Sequence, residues 1–151
     1  MRMPCLTLTP ATPDADSYIL QHATLDTTGA PPEPTLAALA AILGEDVTIE
    51  AVRVARNVTV WCDEEFRCKD LSASAIIIDP INGDVWDFGG PVVITYDTNG
   101  TPQGLAAFAR LALRVPPPGY RLAEPEMTFQ SFTEEEFEAH RRLIDAEGGQ
   151  P

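Results

Sequence analysis

Between Val47 and Asp63 the side chains change character at almost every residue, and this constrains the chain more than any other feature. Val47, Ile49 and Ala51 alternate with Thr48 and Glu50. Val52 and Val54 continue on the opposite parity. Val58, Val60 and Cys62 then alternate with Thr59 and Trp61. Successive side chains on a strand point to opposite faces, so a period of two marks a sheet with a buried side. Ala55-Arg56-Asn57 joins the two runs, and asparagine tolerates the left-handed backbone that a tight link requires. Residues 47–54 and 58–63 are therefore read as an antiparallel hairpin. The change of parity near Ala51 requires either a bulge or burial on both faces.

Other segments follow from their own local chemistry. Leu36, Leu39, Ala40 and Leu43 recur at helical spacing after Thr35, and Gly44 stands where a helix stops. Tyr18 to His22 reads as a short strand. Ser72 to Ile78 is open between strand and helix: Ile76-Ile77-Ile78 favours the first, Ser72 as an N-cap the second. Val85 to Phe88 and Pro91 to Tyr96 read as strands interrupted by Gly89-Gly90, with a turn at Asp97 to Gly100. Thr101-Pro102 is an N-cap followed by proline at the first helical position, and Leu105, Phe108 and Ala112 line one face of that helix. Thr133 to Glu136 forms a capping box, with Phe132 and Phe137 as a hydrophobic staple, and Gly148 closes this last helix.

The 151 residues amount to about one domain. Acidic residues number 23 against 10 basic ones, a net charge of −13. The densest part is residues 44–104, with 11 acids and 4 bases. Such a chain lacks the Lys and Arg that bind phosphate backbones, so direct nucleic-acid binding is not expected. No window approaches the ~20 apolar residues of a spanning helix, so no membrane insertion is expected. Met1 to Leu6 lacks the apolar stretch of a secretory signal, and three cysteines form no disulfide framework. The cytoplasm is the expected compartment.

The middle of the chain carries an ordered set of short words. They are Leu43-Gly44, Ile49-Glu50-Ala51-Val52, Val60-Trp61-Cys62-Asp63-Glu64-Glu65, Leu71, Gly90-Pro91-Val92-Val93 with Thr95, Asp97 with Gly100, and Gly104-Leu105. In this order, from Leu36 to Leu105, the chain resembles the uncharacterised bacterial and phage proteins grouped as the domain of unknown function 3846. Phe66 departs from the pattern, standing where a turn glycine is usual, as does Ser74, near a position that tends to be asparagine. The resemblance implies a small α+β domain often carried by phages and other mobile elements. It implies no activity, catalytic residue or ligand.

The candidate chemistry is thin. Asp63-Glu64-Glu65 offers three carboxylates, but neighbours on a strand diverge, whereas a hard cation needs converging oxygens. A solvated turn is the preferred reading. Asp79, Asn82 and Asp84 around Gly83 lack the calcium-loop spacing and read as a turn. Cys62 and Cys68 are too far apart for the usual zinc pair. Arg67 and Lys69 beside Cys68 could lower its thiol pKa, yet no local motif brings His22 or His140 to it as a base. The glycines form no phosphate loop. Trp61 and Trp86 are the large aromatics, and one of them could serve as an exposed anchor.

The expected fold is α+β: one domain over residues 16–147, an antiparallel sheet of three to five strands with flanking helices. Residues 1–15 and 148–151 are expected to be loosely ordered. No catalytic, cofactor or metal residue is assigned. The expected function is a non-enzymatic accessory protein acting through an unidentified protein partner, with Trp61, Trp86, Asp63, Glu64 and Glu65 as candidate interaction residues. One alternative is an acidic DNA mimic, using Glu50, Asp63, Glu64, Glu65, Asp84, Asp87 and Asp97. The other is a small cysteine- or carboxylate-dependent enzyme. The oligomeric state is left open.

Overall fold

The structure is a computed structural model that describes residues 2–12, 17–55, 57–69, 72–79, 81–96, 101–120 and 122. It opens on a long hairpin. Strands β1 (Arg2–Pro10) and β2 (Tyr18–Thr28) pair along their whole length, from Arg2 opposite Asp26 to Pro10 opposite Tyr18. The two-residue β3 (Glu33–Pro34) pairs with Thr27 and Thr28 at the end of β2. Helix α1 (Leu36–Leu43) begins at Thr35, whose hydroxyl accepts the Ala38 N–H at 3.1 Å. It stops at Gly44, whose φ of 113° is strained for any other residue.

The central hairpin follows as β4 (Ile49–Ala55) and β5 (Val58–Asp63), turning at Asn57 with φ 67°. A 3-10 turn at Phe66–Cys68 leads to β6 (Ala73–Ile78) and β7 (Val85–Gly89). Gly90, at φ 76°, then turns the chain into β8 (Val92–Tyr96). Helix α2 (Pro102–Ala112) and the short β9 (Leu113–Arg114) complete the described fold. Thr101 caps α2 through the Gly104 N–H at 3.0 Å. Gly104 lets the helix lie close to Tyr96, because a Cβ there would stand 3.1 Å from the ring.

These strands form two antiparallel sheets. The six-stranded sheet runs β3-β2-β1-β8-β5-β4, and the three-stranded sheet runs β7-β6-β9. The two strands at the middle of the large sheet are therefore β1 and β8, and β8 pairs with β1 on one side and β5 on the other. Leu6, Leu8, Val58, Val60, Cys62, Val92 and Ile94 point to one face. They pack against Ala75, Ile77 and Phe88 of the small sheet and Leu105, Phe108 and Ala112 of α2. Cys5, Leu25 and Val93 point to the other face and meet Leu39 and Leu43 of α1.

The α+β expectation of three to five strands is overturned. Among the described residues nine strands in two sheets outweigh two α-helices, and the fold is mostly β. Burial on both faces erases the alternation by which a strand is read and hides β1 and β6, while β3 and β9 are only two residues long. The ambiguous segment is strand from Ala73 to Ile78, paired with β7 and β9, and all six of these residues are buried. Its fully buried Ser74 hydroxyl donates to the Phe88 carbonyl at 3.2 Å, at a register shift between Ala73 and Ala75.

The N-terminal expectation is also corrected for residues 2–10. They form β1, and Cys5, Leu6 and Leu8 are fully buried. Pro4 and Pro10 disguised the strand. In the central hairpin the parity change is two-sided burial: Ile49 packs toward α1, while Val52 and Val54 pack toward the small sheet. The register shift falls later, between Arg53 and Ala55. The capping box at Thr133 and residues 148–151 lie outside the described residues.

Candidate functional site

The candidate carboxylates sit where β5 ends. Asp63 is opposite Ile49, and the Glu64 N–H donates to the Thr48 carbonyl at 2.8 Å. That bond ties the turn after β5 to the segment after α1, which carries the exposed Glu45 and Asp46. Asp63 itself is buried. One oxygen accepts the Glu65 N–H at 2.9 Å, and the other is bound by Lys69 Nζ. Burial opposes ionisation of this carboxyl. The hydrogen bonds from Lys69 and Glu65, with the charge of Lys69, outweigh it and hold the pKa below the usual carboxylate value. The hydrogen bond to Asp63 in turn raises the Lys69 pKa. The three acids therefore differ in role. Asp63 closes the turn, while Glu64 and Glu65 are exposed.

The neighbouring 3-10 turn makes a second ion pair. Arg67 Nη2 binds the Asp87 carboxylate and also donates to the Asp87 carbonyl at 3.3 Å. Its guanidinium lies 5.0 Å from the Phe66 ring centroid, and that ring lies 5.8 Å from Phe88. The pair thus fastens the turn to β7. Asp63 and Asp87, two carboxylates of the supposed mimic face, are each bound to a cation. Glu50, Glu64, Glu65 and Asp84 are exposed, and Asp97 lies outside the described residues.

The two tryptophans are not brought together. Trp61 is half-buried on the α1 face, and its indole N–H donates to Thr95 Oγ1 at 3.0 Å. Trp86 is half-buried on β7, opposite Ile77, against the core on the other side of the large sheet. Both serve packing with an open flank.

Two of the three thiols, Cys5 and Cys62, are removed from reaction by their surroundings, while the Cys68 side chain lies outside the described residues. Cys5 and Cys62 are free and fully buried, on opposite faces of the large sheet. Burial pushes the Cys5 thiol up to about 11. Burial, with the charges of Glu50 and Asp63, pushes the Cys62 thiol up to about 12. Both are protonated near neutral pH, and a thiol rather than thiolate is a poor nucleophile. Asp79 organises the β6–β7 turn, accepting from the Ile81 N–H at 2.9 Å and the Asn82 side-chain amide at 3.0 Å. His22 is exposed on β2, and His140 lies outside the described residues.

Among the described residues no three His, Cys, Asp or Glu side chains gather as a metal set would require. No described helix is long and apolar enough to cross a membrane. The sequence reading missed Lys69 and Asp87 as the partners of Asp63 and Arg67. Its only signal was the basic pair Arg67 and Lys69 directly after three acids. Comparison with family models, curated proteins and solved structures returns no match for this chain.

Proposed function

We propose that this chain is a non-enzymatic accessory protein that acts in the cytoplasm by binding a protein partner. The observation that carries the reading is the acidic end of the large sheet. Asp63 is spent on closing its turn, and the Glu64–Thr48 bond fixes the backbone. Glu64 and Glu65 are thereby held exposed on a rigid turn tied to the segment of Glu45 and Asp46. A fixed patch of one sign steers and orients a partner of opposite charge, so the partner expected here presents a basic surface. The two buried free thiols are consistent with a reducing compartment. The resemblance of residues 36–105 adds carriage by a phage or other mobile element to this proposal.

The test is affinity capture from a native host lysate with the wild-type chain and the double variant Glu64→Lys, Glu65→Lys in parallel. A protein retained by the first and lost by the second, at unchanged melting temperature, supports the reading. Equal capture by both removes the acidic end from the function. Salt-sensitive inhibition of a DNA enzyme by the purified chain would favour charge mimicry instead.

A further inference from the structure

The large sheet ends differently at its two edges. The β4 edge carries exposed Glu50 and Arg53 and a register shift after Arg53. Charges and irregular register both discourage pairing with another strand. The β2 edge has no such guard among its own side chains before Asp26. From Ser17 to Leu25 there is no Asp, Glu, Lys, Arg or Pro, in a chain of net charge −13. Ile19 and Leu20 are 44% and 38% exposed there. Among the described residues, this edge is covered at its end, from Asp26 to Thr28, by Thr35 and β3.

Two hydrogen bonds fix the direction of the main-chain groups. The Ala11 N–H donates to the Ser17 carbonyl at 3.0 Å across the hairpin, so odd-numbered residues of β2 turn their groups toward β1. The Thr35 N–H donates to the Asp26 carbonyl at 2.9 Å from the outside, so even-numbered residues turn outward. In an antiparallel ladder both groups of a residue point the same way. Tyr18, Leu20, His22 and Thr24 thus present a row of donors and acceptors along the edge. The Thr24 carbonyl also accepts a long bond from Arg2 at 3.4 Å.

We infer that this row pairs with the same row of a second copy, joining two large sheets edge to edge in a symmetric dimer. Antiparallel strands related by a two-fold axis are self-complementary. With the axis at Gln21, Tyr18 meets Thr24 of the second copy, Ile19 meets Ala23, and Leu20 meets His22. Every outward group from Tyr18 to Thr24 is then paired, and the exposed Ile19 and Leu20 are covered. Charge selects the occupant. A basic partner is drawn to the acidic end of the sheet, whereas two acidic copies approach most easily along an uncharged strip. This inference does not depend on the acidic end having any partner.

Sedimentation equilibrium of the full chain, over a concentration and salt series, tests it. The expected result is a monomer–dimer equilibrium that tightens as salt screens the repulsion. His22→Pro removes an outward N–H and no bond to β1, so it should give a monomer with unchanged circular dichroism. Leu20→Glu, at an exposed position, gives a second route to the same monomer. Gln21→Cys should form a disulfide-linked dimer under mild oxidation, because a non-hydrogen-bonded pair brings Cα atoms to ~4.5 Å. Thr24→Cys should not. A wild-type monomer up to millimolar concentration, or a dimer unmoved by both His22→Pro and Leu20→Glu, would overturn the inference. Equal cross-linking at Gln21 and Thr24 would do the same.

Discussion

The two faces of the large sheet are buried by different means. One meets a second sheet and α2, and its core gathers Leu, Val, Ile and Phe from seven strands and a helix. Among the described residues the other meets only α1, eight residues long, over Cys5, Leu25 and Val93. Apolar burial is worth roughly 25 cal/mol per Å², so the first face, with the larger described cluster, is expected to contribute more to stability. The second has a smaller cover: Trp61 is left half-buried, with its indole N–H donating to Thr95. A sheet can thus be held from one side and finished from the other.

The largest expected effect lies on the deep face. Val60 is fully buried at its centre, and Val60→Asp would place a carboxylate among apolar side chains with no partner. A loss beyond ~4 kcal/mol, or outright unfolding, is expected in a urea titration. A melting curve unchanged by this substitution would erase the distinction between the faces. A smaller effect is expected under α1. Leu39→Ala removes the main apolar contact of a short helix at the margin of the fold, where neighbours can close around the gap. The expected cost is about 2 kcal/mol, at the low end for buried leucine. A cost equal to that of Leu105→Ala on the deep face would show the two covers to be equivalent.

The smallest effect belongs to the rim, which serves neither face. The Asp63 carboxyl is held below its ordinary pKa, so its contribution is present above the unfolded value and is lost as pH falls through the folded one. Lys69 has a raised pKa, so its contribution is present below the unfolded value and lost as pH rises through the folded one. The stability difference between wild type and Lys69→Met should therefore be steady through neutral pH. It should shrink in acid below the usual carboxylate range and in strong alkali. Thermal melts across pH read it directly, and a difference independent of pH would show that the pair contributes nothing.

How legible each part was in the sequence follows from the same contrast. The β4–β5 hairpin, α1 with Thr35 and Gly44, and α2 with Thr101 and Pro102 carry local signals that survive any context. Strand β1 does not, because Cys5, Leu6, Thr7 and Leu8 are buried on alternate faces and leave no polar parity to read. The same holds for Ile76 to Ile78 in β6. The turn at Asp63 was visible as an acidic run. That Lys69 would fold back onto it depends on the 3-10 turn, and that Arg67 would reach Asp87, 20 residues away, depends on β7.

The central position of β8 has a consequence for how the chain is made. On the ribosome, β1 and β2 emerge first and form a hairpin from neighbouring residues. The inner side of β1 then has no partner until Val92 to Ile94 have been synthesised, since Leu6 pairs with Ile94 and Leu8 with Val92. During that interval Leu6 and Leu8 lie open to water and to other nascent chains. Closure of so distant a pairing is slow, on the order of milliseconds to seconds for β-rich domains. The β1–β2 hairpin, with Arg2 and Asp26 as the charges on its strands, is therefore the part of this acidic protein most exposed to aggregation during synthesis, and insertion of β8 ends the exposure.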